Sequence, residues 1–158
     1  MGNILTAAEV RKALWLDDDF ETEELDRLST VASSRILETT DHDFGLDTPI
    51  ESVAKQLAIL YCRESYFNAK GEYNKDHDYA LGISSMTHLL KGIASNIKAA
   101  QAVDDLIAAI PETVTLADEA TIVAARKAYT ILYQPEKRRV KTLDTLIAKE
   151  TALALLKV

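Results

Sequence analysis

The chain has 158 residues, of which 47% are hydrophobic and 27% are charged, and its formal net charge is −7. This mix is typical of a globular protein, and five glycines with three prolines are too few for a β-sandwich or a barrel. A single cysteine, Cys62, excludes an intramolecular disulfide framework and a cysteine-rich zinc site. No stretch approaches the roughly 18 apolar residues of a membrane span, so we expect no transmembrane helix.

Acidic side chains are concentrated in the first hundred residues. Residues 1–100 hold 17 acidic and 10 basic side chains, whereas residues 101–158 hold eight of each. Wrapping a nucleic acid requires lysines and arginines on the phosphates, which this distribution does not provide. The acidic excess is compatible with a passage through which DNA slides, because negative side chains repel the phosphates and prevent the DNA from binding to the wall.

The acidic part of the chain carries clear signals for the starts and ends of helices. Thr6 and Glu9 form a capping box that begins a helix ending near Trp15. Thr48-Pro49-Ile50-Glu51 reads as a second capping box, with Pro49 at the first helical position. With apolar residues at helical spacing, these signals predict helices over about 7–15, 21–40, 49–69 and 79–98. The apolar stripe of the second helix is Leu25, Leu28, Ala32 and Ile36, and that of the fourth is Met86, Leu89, Leu90, Ile93 and Ile97.

The neutral part of the chain follows a shift in composition near residues 99–102. Apolar stripes predict helices over about 103–110, 116–133 and 143–157, with Pro111 ending the first and Gln134-Pro135 ending the second. We therefore predict an all-α fold, with a four-helix domain over residues 1–100 and a small three-helix bundle over residues 101–158. The second unit is small but able to fold.

The sequence carries few signs of catalysis. It has no glycine-rich phosphate loop, no His-Glu-x-x-His motif and no nucleophile elbow. Two Asp-His-Asp triplets begin at Asp41 and Asp76, but adjacent loop residues rarely converge on one ion, so we expect solvated loops. Cys62 lies in an apolar run without a basic neighbour and reads as a buried thiol, and His88 as a surface or interface residue. We expect no catalytic residue, no metal and no cofactor.

Aromatic side chains gather at the predicted helix ends and around the loop of the 70s. They either cap the core of the bundle or include anchors for a partner, since aromatics supply much of the energy of protein interfaces. The partner-interface candidates are Trp15, Phe20, Tyr66, Phe67, Tyr73 and Tyr79.

Several segments follow one another over residues 4–98: ILTAAEVRKAL, an Asp-rich link, EELDRLSTVASSRI, a loop ending in HDF, PIESVAKQLAILYCRESYFN and ALGISSMTHLLKGI. In their order and spacing these segments resemble the phage head–tail connector (adaptor) family. This resemblance implies a virion protein of the neck, without catalysis. In this family roughly a dozen copies form a ring under the portal protein, above a tail-side neck or tail-completion protein, and double-stranded DNA passes through without sequence-specific binding.

In such a ring we expect the acidic residues of the link and of the following helix start to face the DNA passage. The candidates are Asp17, Asp18, Asp19, Glu21, Glu23, Glu24 and Asp26. A further reason to expect a ring is the run 57–62, which is apolar on every side of its helix and hard for one small bundle to cover.

The end of the chain resembles a different group of proteins. VTLADEATIVAARKAY and KRRVKTLDTLIAKE are similar to small three-helix modules of Gram-positive surface proteins, which implies a spacer or an interaction module. We expect this unit on the outside of the ring, because extra copies would crowd the channel. The alternative hypotheses are a non-phage helical interaction module associated with the cell envelope, for which no export signal is present, and an enzyme with an unrecognised site.

Overall fold

The computed structural model describes residues 1–69 and 77–157, and within these ranges the regular secondary structure is entirely helical, as predicted. Two 3₁₀ turns, Phe44–Leu46 and Leu116–Asp118, accompany the α-helices. The α-helices of the described residues are α1 (Ala7–Leu14), α2 (Thr22–Thr40), α3 (Ser52–Ala69), α4 (His77–Ala108), α5 (Glu119–Ile131), α6 (Gln134–Lys137) and α7 (Leu143–Leu155).

The chain divides into two compact units, Met1–Ala94 and Ser95–Val158. The division lies six residues before the boundary expected at residue 100, within α4. The first unit holds 17 acidic and nine basic side chains, and the second holds eight acidic and nine basic ones. No described helix has the length and apolar character that a membrane span requires.

The helix starts expected from capping patterns are partly correct. Glu9 N donates to Thr6 Oγ1 at 3.3 Å, and Thr6 N donates to Glu9 Oε2 at 2.8 Å, which confirms the capping box of α1. The helix expected from Pro49 instead begins at Ser52, after a cis Thr48–Pro49 bond. Residues 48–51 all lie before the first helical residue, so this four-residue pattern does not mark the start of the helix.

The expected break at residues 99–102 is wrong. α4 runs without interruption from His77 to Ala108, so the two helices predicted over 79–98 and 103–110 are one. The sequence Ala-Ala-Gln-Ala at 99–102 consists of strong helix formers without Gly or Pro, and the change in charge across it does not weaken the helix. The helix expected to end at Gln134-Pro135 does end close to it, because α5 stops at Ile131, and Gln134 and Pro135 begin the short helix α6, whose first turn tolerates a proline.

The core of the first unit lies among α1, α2 and α3, whose backbones approach one another closely. The stripe predicted on α2 is confirmed, since Leu25, Leu28, Ala32 and Ile36 are all buried. The stripe predicted on α4 is correct only in part, because Leu90 is buried but Leu89 is 54% exposed.

The first five residues form an ordered strap against α2. Ile4 and Leu5 are each 2% exposed. Ile4 N donates to Ser33 Oγ at 3.0 Å, and Ser29 Oγ donates to the Leu5 carbonyl at 2.7 Å, so the two buried serines satisfy the strap backbone. Where Gly2 meets Gly45 the two backbones are so close that a Cβ on either would overlap the other's carbonyl oxygen.

The second unit has a core of its own. Residues from α4, α5 and α7 and from the segment after α4 pack together there, with partly buried side chains around them. The buried members are Val103, Ile107, Ile110, Ile122, Ala125, Leu146 and Leu153.

Candidate functional site

The acidic link joins α1 to α2 and continues into the first turns of α2. Six of its seven carboxylates are exposed, and Glu24 is half-buried. Arg27 Nε donates to Glu24 Oε2 at 2.7 Å, and this hydrogen bond lowers the pKa of Glu24. The DNA-channel candidates of the sequence therefore form one solvent-facing acidic segment, residues 17–26.

Two arginines hold the start of the acidic link. Arg63, on α3, donates from Nε and Nη2 to the Ala13 carbonyl at 3.1 and 2.9 Å. Arg11 Nη2 donates to the Phe20 carbonyl at 3.1 Å, while its buried Nε has no hydrogen-bond partner. These contacts join α1, the link and α3, so the position of the carboxylates depends on the helices around them.

Trp15 is the most exposed of the aromatic candidates whose side chains are described. It ends α1 in the left-handed conformation, with φ 53° and ψ 43°, which is uncommon for a residue other than glycine. The ring is 78% exposed, and the Arg63 guanidinium lies 4.7 Å from its centroid. Trp15 thus offers a large apolar surface beside the acidic link, held by a cation–π contact.

The other aromatic candidates are placed differently. Tyr66 is 8% exposed and forms edge-to-face contacts with Phe20 at 6.0 Å and Phe67 at 5.3 Å between ring centroids. This group caps the core of the first unit, so the structure does not place Tyr66 at the surface. Tyr73 and the side chain of Tyr79 lie outside the described residues.

The apolar run 57–62 is largely covered within the first unit. Leu57, Ala58, Tyr61 and Cys62 are buried, and the two residues between them are partly exposed. The reason given for a ring, that one small bundle could not cover this run, is therefore wrong.

Cys62 is buried, and this burial raises the pKa of its thiol to about 12. The thiol is therefore protonated at neutral pH, as expected for a structural cysteine.

The first Asp-His-Asp triplet organises a loop. His42 Nε2 lies 2.9 Å from Asp47 Oδ2, outside the triplet, while Asp43 accepts hydrogen bonds from the backbone N–H groups of Gly2 and Gly45. Asp76, which begins the second triplet, lies outside the described residues. Across residues 1–69 and 77–157, no three His, Cys, Asp or Glu side chains are grouped so as to hold a metal ion.

Asp104 is a buried carboxylate that the sequence reading missed. It lies on α4 and is only 7% exposed. Asp104 Oδ1 accepts from Lys141 N at 3.0 Å, from Thr142 N at 3.0 Å and from Thr142 Oγ1 at 2.6 Å. It therefore joins the two residues that precede α7 to another helix. Its position on the stripe of Val103 and Ile107 was the available signal, because a charge on a buried stripe needs partners.

The remaining surface of the second unit is partly apolar. Ile131 and Tyr133 are 71% and 78% exposed, and they precede the basic residues Lys137-Arg138-Arg139.

His88, on the first unit's part of α4, is exposed, as expected. Comparisons of this chain with protein-family models, with curated proteins and with solved structures found no match.

Proposed function

We propose that this chain is a structural protein of a phage neck, in which copies form a ring beneath the portal protein around the DNA channel. The ring joins the head to a tail-side neck or tail-completion protein, belongs to the virion and carries out no catalysis. The proposal stands on the resemblance of residues 4–98 to head–tail connectors. One structural observation supports it most directly: the seven carboxylates of residues 17–26 share one solvent-facing segment.

The acidic segment has the charge that a DNA passage requires. Coulomb repulsion between carboxylates and phosphates is screened over about 8 Å at physiological ionic strength, so it acts only on DNA that passes close by. A ring multiplies the seven charges of one copy into a dense belt. Such a belt repels the phosphates evenly and lets the duplex move without binding.

Trp15 supports the proposed assembly at a second position. A tryptophan that is 78% exposed presents the kind of aromatic surface that often anchors an interface. Because Arg63 bonds to the Ala13 carbonyl and packs on the indole ring, the side chain is oriented before a partner arrives. We assign Trp15 to the contact with the portal or with a neighbouring copy.

Reconstitution with the portal protein of the same phage or prophage tests the proposal. We expect co-migration in gel filtration, and a reconstruction of the complex with several copies in a ring and residues 17–26 on the channel wall. Failure to bind portal, or a single copy per complex, would refute the neck assignment. An acidic segment on the outer rim of a ring with a basic lumen would refute the channel role alone.

Charge neutralisation tests the channel role separately. The triple variant Asp17→Asn, Asp18→Asn, Asp19→Asn removes three exposed charges, and we expect assembled rings carrying it to retain more duplex DNA in a low-salt filter assay than unmodified rings do. The matched control neutralises three exposed carboxylates of the second unit, Asp105, Glu112 and Asp144. Equal retention by both variants would show that total charge, rather than the acidic link, governs passage.

The alternative is a helical interaction module associated with the cell envelope. Ile131 and Tyr133, both exposed on the second unit, are the observation that favours a partner for that part of the chain. This hypothesis predicts no binding to portal by either unit. The portal reconstitution therefore decides between the two functions.

A further inference from the structure

We draw no further inference here: the strongest candidate, the surface patch of the second unit where exposed Ile131 and Tyr133 precede the basic residues 137–139, carries nothing because no feature of the described residues shows what covers it.

Discussion

The acidic segment of the first unit and Asp104 of the second unit use their carboxylates in opposite ways. In the first unit the carboxylates of the acidic segment 17–26 face solvent, and of these seven only Glu24 is half-buried. In the second unit Asp104 is buried and accepts hydrogen bonds from Lys141 and Thr142, which precede α7. Carboxylates of the first kind can be changed with little effect on folding, whereas one of the second kind belongs to the core.

The cores differ as well. The first unit buries Ile4 and Leu5 of the strap, apolar residues of three helices and the polar residues Ser29 and Ser33, all within Met1–Ala94. The second unit buries seven core residues and leaves Ile131, Tyr133 and Leu155 more than 70% exposed. Charge and stability can therefore be altered separately at the acidic segment, whereas at Asp104 one buried charge contributes to both.

Truncating a core leucine tests whether the two units unfold separately. Leu25→Ala and Leu146→Ala each remove a side chain that is fully buried in its unit, and each should lower the free energy of unfolding by about 2–5 kcal/mol. Trp15 is the only tryptophan, so its fluorescence follows the first unit, while circular dichroism follows both. In urea, Leu25→Ala should shift the fluorescence transition and Leu146→Ala should leave it in place.

Leu89→Ala is the control for these variants, because Leu89 is 54% exposed and its truncation should change stability by less than about 0.5 kcal/mol. If Leu146→Ala shifts the fluorescence transition as much as Leu25→Ala does, the chain unfolds as one body. The comparison between two separate units would then be wrong.

Replacing Asp104 tests the role of the buried carboxylate. Asp104→Ala leaves the N–H groups of Lys141 and Thr142 without their acceptor and should cost about 1–3 kcal/mol. The neighbouring variant Asp105→Ala, at an exposed site, should cost far less. Both are measured by circular dichroism in urea. Equal costs would show that the contact between Asp104 and α7 adds no stability in solution.

The acidic link and the Asp104 contact also differ in how far the sequence could predict them. The capping box at Thr6 and Glu9 and the stripe through Leu25 and Ile36 are local patterns, and both were correct. The N-terminal strap, the continuity of α4 and the Asp104 contact were missed. Asp104 meets Lys141 across 37 residues, a separation at which no local periodicity applies.

The placement of the candidate site was predictable to a similar extent. A run of carboxylates before a helix is expected to be solvated, and the structure places it there. Tyr66 is among the partner-interface candidates, for which core capping was the alternative, because its position in the sequence gives no sign of its contact with Phe20. Such packing depends on the relative positions of the helices, which cannot be read from the local patterns of a single sequence.

Adding a methyl group to α4 should stabilise the chain modestly. Gly92 lies inside the helix, and a Cβ there would meet no atom within 4 Å. Gly92→Ala should therefore raise the free energy of unfolding by about 0.5–1 kcal/mol through helix propensity. Gly82→Ala, at a similarly open position of the same helix, is the matched variant. Urea denaturation that shows a loss of stability for both would indicate that the helix requires these glycines.

Acid should weaken one exposed ion pair in each unit. Hydrogen bonds from Lys55 and Arg126 lower the pKa values of Glu9 and Glu150, respectively. A lowered pKa stabilises the folded chain above about pH 4.5, and this contribution disappears as the pH falls through the folded-state pKa. Because both pairs are partly exposed, we expect less than about 1 kcal/mol from each.

Glu9→Gln and Glu150→Gln separate these contributions. Each variant should be less stable than the unmodified chain at pH 7, and the difference should shrink as the pH is lowered to 3 in urea titrations. Fluorescence of Trp15 should report the change for Glu9→Gln only. A difference that stays constant with pH would mean that the carboxylate charge is not its source.

The contact between Gly2 and Gly45 limits which substitutions the chain can accept at these two positions. Any side chain at either position would strike the carbonyl oxygen of the other glycine, so neither site accepts even alanine without moving the backbone. A second substitution at the partner position cannot compensate, because it would add atoms to the same space. A side chain at either position therefore requires the strap and the Phe44–Leu46 turn to separate.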